Sequence, residues 1–425
     1  MDKTIALLLA GGVGSRLHPL TQDRAKPAVP FGGKYRIIDF TLSNCYHSGL
    51  RRVLVLTQYK SHSLQKHLRD GWSIFNPGLG EYITPVPPQM RTGDSWYVGT
   101  ADAVYQNLFL LERSHADQVV ILSGDHIYRM DYAAMLQFHC NSLADVTVAC
   151  MQVPIDEAHA FGVMSVNDDG RIVEFQEKPD QPVALPDDPS QALASMGIYI
   201  FSRELLCEIL KADHEDSDSS HDFGKDIIKG LIKTLDVYGY QFGQEFGRVS
   251  CDAYWRDVGT IDAYYEANMD LLKPLPPLDL YQRDWQIRTV EGQGPPARTS
   301  PGASGNRSEI ECTMMNSGTV ICGGRVTNSI LGRNVKVEEG AEVERSIVGN
   351  GVTVGPGSRL NRCIIDKHVS IPPGESIGCD PIADRRRFTV SDNGIVVVPR
   401  GYQFTADNGV PAPSGVLGKK LTRSG

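Results

Sequence analysis

From Thr4 to about residue 270, short apolar runs rich in β-branched residues alternate with stretches of helical periodicity, the pattern of an α/β domain. The runs Thr4 to Ala10, Arg52 to Thr57, Gln118 to Ser123, Val146 to Val153 and Met196 to Phe201 predict strands. Ser61 to Gly71, Ala101 to Glu112 and Tyr132 to Asn141 predict helices. Unbroken apolar segments such as Val119-Val-Ile-Leu122 suit parallel strands covered on both faces. Between Lys273 and Arg307 the periodicity fades and Pro274, Pro276, Pro277, Pro295, Pro296, Pro301, Gly302 and Gly305 accumulate, which predicts a linker partly draped over the first domain.

Beyond it the period changes. Four rows of apolar residues recur seventeen positions apart: Met314, Val320, Val326; Leu331, Val337, Val343; Val348, Val354, Leu360; Ile365, Ile371, Ile377. The step is six within a row and five between rows. Units this short cannot bury an apolar face alone, so successive coils stack and share a core, and three faces per coil make the coil triangular. Gly332, Asn334, Gly349, Gly351, Gly355, Gly357 and Gly378 follow the apolar positions and suit corners that need positive φ. An antiparallel β domain is the rival pattern, but its alternation has period two. The expected organisation is an α/β domain over 1–272, a linker over 273–308, a β-helix over 309–405 and a flexible tail over 406–425, in keeping with a chain too long for one core.

Composition narrows the function classes. With 41% hydrophobic and 22% charged residues the chain is of ordinary soluble type, and no apolar run approaches the roughly 18 residues that span a bilayer. Met1-Asp2-Lys3 leads straight into the first strand, so no targeting segment and no membrane partner are expected. Nine cysteines without close pairs predict reduced thiols and a cytoplasmic setting. A net charge of −9 disfavours nucleic acid as a partner but leaves anionic small substrates open, given local positive charge.

Four segments supply that chemistry. Leu9-Ala-Gly11-Gly12-Val-Gly14-Ser15-Arg16 closes the first strand, where glycines let amide N–H groups and the next helix N-terminus face a phosphate. It is neither a P-loop nor a dinucleotide fingerprint. Arg16, with Lys26 ten residues on, would suit a triphosphate. Leu122-Ser-Gly-Asp125-His-Ile-Tyr128 ends an apolar strand where ligands of open α/β sheets sit, and its carboxylate suits Mg²⁺. Tyr254-Trp-Arg-Asp257-Val-Gly259-Thr260 offers a second acid for the same metal. Phe175-Gln-Glu177-Lys178-Pro179, with Ser195 downstream and Gly162 upstream, offers a point charge for a second phosphate and acceptors for sugar hydroxyls.

Together these segments resemble the sugar-nucleotide pyrophosphorylases and, within them, the bacterial glucose-1-phosphate adenylyltransferases, also called ADP-glucose pyrophosphorylases. The resemblance runs from about residue 4 to residue 400. Its most specific parts are Arg24-Ala-Lys26-Pro-Ala-Val29, Phe31-Gly-Gly-Lys34-Tyr-Arg-Ile-Ile-Asp39-Phe, Leu42-Ser-Asn44, Trp96-Tyr97-Val-Gly99-Thr100-Ala-Asp102, Gly124-Asp125-His-Ile-Tyr128, Ala194-Ser195-Met-Gly197, Ser220-His-Asp-Phe-Gly-Lys225-Asp and Tyr254-Trp-Arg-Asp257-Val-Gly-Thr260. The resemblance implies a Rossmann-like nucleotidyltransferase domain followed by a left-handed parallel β-helix. It implies synthesis of ADP-glucose and pyrophosphate from ATP and α-D-glucose 1-phosphate, the committed step of glycogen biosynthesis, under allosteric control by small anionic effectors and in a homotetramer.

It also implies residue roles. Gly11, Gly12, Gly14 and Arg16, with Lys26, would cradle the ATP phosphates; Gln58, Gly99 and Thr100, with Trp96, would surround the adenine. Tyr97, Gly162, Glu177, Lys178 and Ser195 would hold glucose 1-phosphate, and Asp125 and Asp257 would hold Mg²⁺. Asp125, Arg16 and Lys26 are the expected catalytic groups. Arg24, Arg36, Arg113 and Arg386, the last within the run Arg385 to Arg387, resemble the regulatory anion-binding interface. Two positions depart from the family. Val13 stands where many members carry Arg, and Asp23 stands where members activated by fructose 1,6-bisphosphate tend to carry Lys, so that effector is not expected. Fructose 6-phosphate, pyruvate or another metabolite stays open. The rival functions are a second acyltransferase activity on the β-helix, a catalytically silent regulatory subunit, and a UTP- or other-hexose-specific enzyme.

Overall fold

The run Thr4–Ala10 forms an inner strand of a nine-stranded mixed sheet, paired in parallel with Arg52–Thr57 on one side and Gln118–Ser123 on the other. Their alternate residues face opposite ways, and both faces are covered. Ile5, Leu7, Leu54, Leu56, Val119 and Ile121 enter one core, and Ala6, Leu8, Val53, Val55, Val120 and Leu122 the other. All three strands therefore end on the same sheet edge. Tyr82–Val86 continues the parallel part beside Arg52–Thr57. On the other side Gln191–Ser202 runs antiparallel to Gln118–Ser123, to Val146–Pro154 and to Gly162–Val166, so the sheet is parallel only in part.

The computed structural model describes residues 1, 3–12, 14–89, 96–243 and 253–404 and divides into two compact units, Met1–Gln293 and Gly294–Gly425. Val13 and the expected tail at 406–425 lie outside the described residues. The first three strands and the helix Tyr132–Asn141 have the bounds the sequence predicts. The helix expected over 101–112 is broken into Thr100–Tyr105 and Leu108–Ser114. Asn107 explains the break: its side-chain amide donates back to the Ala103 carbonyl at 2.8 Å and to the Tyr97 hydroxyl at 3.0 Å, competing with helix propagation.

The stretch read as a linker is divided between the units. In the first, Leu278, Trp285 and Ile287 are buried, with Trp285 Nε1 donating to Asn44 Oδ1 at 3.0 Å and Arg288 N to Ser43 Oγ at 2.8 Å, both on the helix Ile37–His47. That helix is anchored through buried Asp39, which accepts from Arg36 N at 2.8 Å and Trp72 Nε1 at 2.9 Å and lies 2.5 Å from His67 Nε2.

The second unit is a left-handed parallel β-helix. Its three faces are ladders of short parallel strands, such as Arg325–Thr327, Glu342–Glu344, Arg359–Asn361 and Ser376–Ile377 on one face. Ten of the twelve repeat positions lie in the buried row: Val326 and everything from Leu331 to Ile377. The first coil differs. Ile321, not Val320, stands beside Val337, and Met315, not Met314, beside Leu331, because that coil reaches the next in sixteen residues on these two faces. A still earlier part-coil, Arg298–Ser300 and Glu309–Glu311, extends the helix into the expected linker.

Corner glycines here do two jobs. Gly378 has φ +78°, and a Cβ there would lie 1.7 Å from the Asn361 carbonyl oxygen; Gly357 has φ +66° with open space around it. Gly357→Ala should cost the second unit about 1–2 kcal/mol, the penalty of the left-handed conformation. Gly378→Ala should cost clearly more, because backbone must also move. Urea unfolding of the intact chain, followed by a probe in the β-helix, checks this ranking; equal losses would contradict it.

Candidate active site

Three strand ends build the floor. The chain leaves Thr4–Ala10 through Gly11 and Gly12 and turns at Gly14, whose φ is +63° and whose carbonyl accepts from Thr21 Oγ1 at 2.9 Å. Close approach explains two of these glycines. A Cβ on Gly11 would lie 3.0 Å from Gln58 Cβ, and one on Gly14 would lie 3.1 Å from Lys26 Cβ, whereas one on Gly12 would meet nothing within 4 Å. A single 3₁₀ turn follows, Ser15–Leu17, in place of the helix expected there. Charge at this end of the site therefore comes from side chains, Arg16 and Lys26, rather than from a helix dipole. Gln58 follows Arg52–Thr57, and its Nε2 donates to the Tyr97 carbonyl at 3.2 Å. Asp125 follows Gln118–Ser123, with Ser123 Oγ bonded to its Oδ1.

Asp257 reaches the same place by a separate route. Trp255–Asp257 pairs antiparallel with His126–Tyr128, in the register that sets Asp257 opposite His126 and so beside Asp125. Lys26 lies between the two acids. Its Nζ is 2.9 Å from Asp125 Oδ2 and 2.8 Å from Asp257 Oδ1, and its side chain is only 8% exposed. Arg16 Nη2 stands 3.9 Å from Asp257 Oδ2. Burial alone would lower the Lys26 pKa, but the two carboxylates more than offset it and hold the ammonium above its ordinary value. Burial alone would raise the Asp125 pKa; Lys26, His126 and the Ser123 hydroxyl bring it well below the carboxylate range.

Two cavities meet here. The first, of about 440 Å³, is lined by Gly11, Gly12, Gly14, Arg16, Lys26, Gln58, Tyr97, Gly99, Thr100 and Asp125. The second, of about 500 Å³, is lined by Arg16, Gly162, Glu177, Lys178, Ser195, Trp255 and Asp257. Arg16, Thr100, Ser123 and Asp222 belong to both walls. Gly99 is required by packing, since a Cβ would lie 2.1 Å from the His221 carbonyl oxygen. Thr100 Oγ1 donates to Asp222 Oδ2 at 3.0 Å and accepts from Phe223 N at 3.0 Å, tying the common wall together. Trp96, outside both linings, stacks on Tyr59 with centroids 4.8 Å apart.

In the second cavity Glu177 and Lys178 close the strand Ile172–Glu177; Lys178 has φ +46°, donates its N–H to the Phe161 carbonyl at 3.0 Å, and holds Nζ 3.3 Å from Glu177 Oε1. Gly162 and Gly224 both crowd Glu177: a Cβ on either would lie 2.9 or 2.7 Å from Oε2. Ser195 sits where the ladder between Gln191–Ser202 and Val146–Pro154 slips, Ser195 facing Cys150 and Tyr199 facing Val148. The surplus residues bulge, with Gly197 at φ +67°, and Ser195, Met196 and Gly197 line the cavity.

Placement departs from the sequence reading at several positions. Tyr97 was grouped with Glu177, Lys178 and Ser195, but it lines the first cavity, its hydroxyl held by Asn107. Asp222, Ser123 and Trp255 were given no role, although all three stood within or beside quoted motifs; only the fold brings them to the walls. Among the basic residues, Arg24 is buried beside Arg36, whose pKa is lowered first by burial and then by that neighbouring cation. Arg36 Nη1 also donates to the Ser63 carbonyl at 2.8 Å. Arg113 lies in the last turn of the helix Leu108–Ser114 with its guanidinium 5.8 Å from the Phe109 ring centre, and Arg386 lies in the helix Pro381–Arg387 of the second unit.

The donor set suits a divalent cation. Ligand atoms of Asp125, His126 and Asp257 lie within 4.8 Å of one another among the described residues, and two hard carboxylates suit a hard divalent cation better than a soft metal.

Comparison with known proteins agrees with this architecture. A nucleotidyl transferase family model matches residues 5–274, and a GlmU-like C-terminal hexapeptide model matches residues 295–398. Glucose-1-phosphate adenylyltransferase 2 of Vibrio cholerae is 60% identical over 407 residues, covering 96% of this chain and 100% of its own. The enzyme of the same name from Vibrio vulnificus is 62% identical over 404 residues, covering 95% and 100%. Glucose-1-phosphate adenylyltransferase of Rhodopirellula baltica is 52% identical over 411 residues, covering 96% and 92%. With both of its units and almost its whole length matched in this way, the chain belongs to the glucose-1-phosphate adenylyltransferases and is a nucleotidyltransferase enzyme.

Proposed function

We propose that the protein makes ADP-glucose and pyrophosphate from ATP and α-D-glucose 1-phosphate, supplying glycogen synthesis. The observation that carries this reading is the meeting of two cavities across one strip of charge, Arg16, Lys26, Asp125 and Asp257. The first cavity takes ATP, with the loop from Gly11 to Gly14, Arg16 and Lys26 at the phosphates and Gln58, Gly99 and Thr100 around the base. The second takes glucose 1-phosphate, with Lys178 on its phosphate and Glu177, Ser195 and the Gly162 backbone at the sugar. Tyr97 acts from the nucleotide side. Asp125 and Asp257 hold Mg²⁺, which, when bound, neutralises oxygens of the transferring and leaving phosphates.

The attacking group is already an anion, so no strong base is needed. An oxygen of the sugar phosphate displaces pyrophosphate from the α-phosphorus of ATP, in line. The protein's contribution is to hold two mutually repelling anions face to face. Arg16 serves both cavities and screens them from each other, Lys178 fixes the nucleophile, and Thr100 with Asp222 forms the wall that sets their separation.

Anionic effectors are proposed to act, in a homotetramer, at Arg24, Arg36 and Arg113 of the first unit and, separately, at Arg386 of the second. Support comes from the proximity of two cations, Arg24 and Arg36, with Asp39 beside Arg36 partly balancing them. Cytoplasmic operation completes the reading and is in keeping with the eight described cysteines, all free thiols.

Assay of pyrophosphate release from ATP, GTP, UTP and CTP with glucose 1-phosphate tests the assignment; ATP should be used best, and preference for another nucleotide would overturn it. Asp125→Ala should abolish turnover while the protein stays folded, since Lys26 keeps Asp257 as its partner. Lys178→Ala should raise the KM for glucose 1-phosphate roughly 10- to 100-fold, the worth of one charge-assisted contact of about 1.5–3 kcal/mol, with little change for ATP. A change confined to ATP would move Lys178 to the other substrate. Gly162→Ala should act in the same direction, since its methyl would displace Glu177 and Phe175, and steady-state kinetics with each substrate varied will show it.

A further inference from the structure

We propose that Lys26 is a resident counter-ion that keeps the Asp125–Asp257 pair closed to a divalent cation until a triphosphate draws its ammonium away. The proposal rests on the reading of these two acids as the metal ligands. It adds a sequence of events: the free enzyme does not load metal, and the cation enters with the nucleotide.

The carboxylate oxygens are all engaged. Asp125 Oδ2 and Asp257 Oδ1, the pair that a cation between the acids would use, both bind Lys26 Nζ at 2.9 and 2.8 Å. Asp125 Oδ1 is held by the Ser123 hydroxyl and lies 3.5 Å from His126 Nε2, and Asp257 Oδ2 faces Arg16 at 3.9 Å. Magnesium requires its oxygens at about 2.0–2.1 Å, a place it cannot take on the inner pair while an ammonium is hydrogen-bonded to the same atoms. Charge leads to the same result. Two carboxylates face two cations, Lys26 and Arg16, and the group is balanced; a dication added alone would leave a partly buried cluster of positive charge, whereas a triphosphate reverses the sign.

The fold allows the lysine to leave without moving its own backbone. Lys26 begins the 3₁₀ turn Lys26–Ala28, fixed by Pro27 and by Val29 N donating to the Lys26 carbonyl at 3.0 Å. Its Cβ lies where any side chain on Gly14 would come within 3.1 Å of it. The part of the residue that can change rotamer is its four-carbon stem, which lines the first cavity beside Gly14 and Arg16, where the triphosphate is placed. Nucleotide and metal then assist each other through one displaced side chain, and linkage makes the assistance mutual.

The test measures Mn²⁺ binding to the full chain without nucleotide, by electron paramagnetic resonance of the free ion, for wild type, Lys26→Met, Asp125→Asn and the double variant. Lys26→Met should bind Mn²⁺ at least tenfold tighter than wild type, and Asp125→Asn should remove that gain. Its thermal unfolding midpoint should rise with Mn²⁺, and that of the wild type should not. Lys26→Gln replaces the Met variant if the latter does not fold. Wild type binding as tightly as Lys26→Met, with Asp125→Asn weakening both, would overturn the counter-ion role and leave the acids as metal ligands. No gain in Lys26→Met and no effect of Asp125→Asn would overturn the metal assignment as well.

Discussion

One buried ammonium between two carboxylates organises this molecule's chemistry. Asp125 comes from the end of a parallel strand, Asp257 from a two-stranded ladder more than a hundred residues later, and Lys26 from a turn near the N-terminus. Three distant segments are thus fixed against one another at 2.8 and 2.9 Å. Any one charge left alone there would be costly, since a buried ion without its partner typically costs several kcal/mol. The same cluster lies at the junction of two cavities of about 440 and 500 Å³. An arrangement that satisfies folding also places positive and negative groups at the boundary of both cavities.

The rest of the first unit serves that junction. Parallel pairing brings the Gly11 loop, Gln58 and Asp125 to one sheet edge. The slipped ladder at Ser195 and the left-handed backbone of Lys178 shape the second cavity from the antiparallel side. The mixed sheet therefore builds two different walls: its parallel half presents strand ends to the first cavity, and its antiparallel half presents a bulge and a strand terminus to the second.

Much of this was legible in the sequence, for physical reasons that differ by element. Val119 to Leu122 and Thr4 to Ala10 announce buried strands because covering on both faces demands continuous apolar residues. The β-helix shows itself because each coil repeats the same burial problem, but the coil at Met314 and Val320 is displaced by one residue, because it reaches the next coil in sixteen residues instead of seventeen on those two faces. The broken helix at Asn107 was missed because a side chain bonding back to Ala103 leaves no mark in periodicity. Asp222 and Trp255 were missed as wall residues because their neighbours in space are far away in sequence. The sequence groups Tyr97 with the sugar-phosphate residues, while the structure has it lining the first cavity with its hydroxyl held by Asn107. The pairing of Lys26 with both acids has no local signature at all; it exists only once three segments are folded together.

The most direct measurement is a crystal structure of the protein with ADP-glucose and a divalent cation. The account requires adenosine between Gln58 and Gly99, glucose against Glu177 and Ser195, and the diphosphate lying across the gap with Asp125 and Asp257 on the cation. A product bound elsewhere, or a diphosphate whose cation is held by other residues while both aspartates point away, would contradict it.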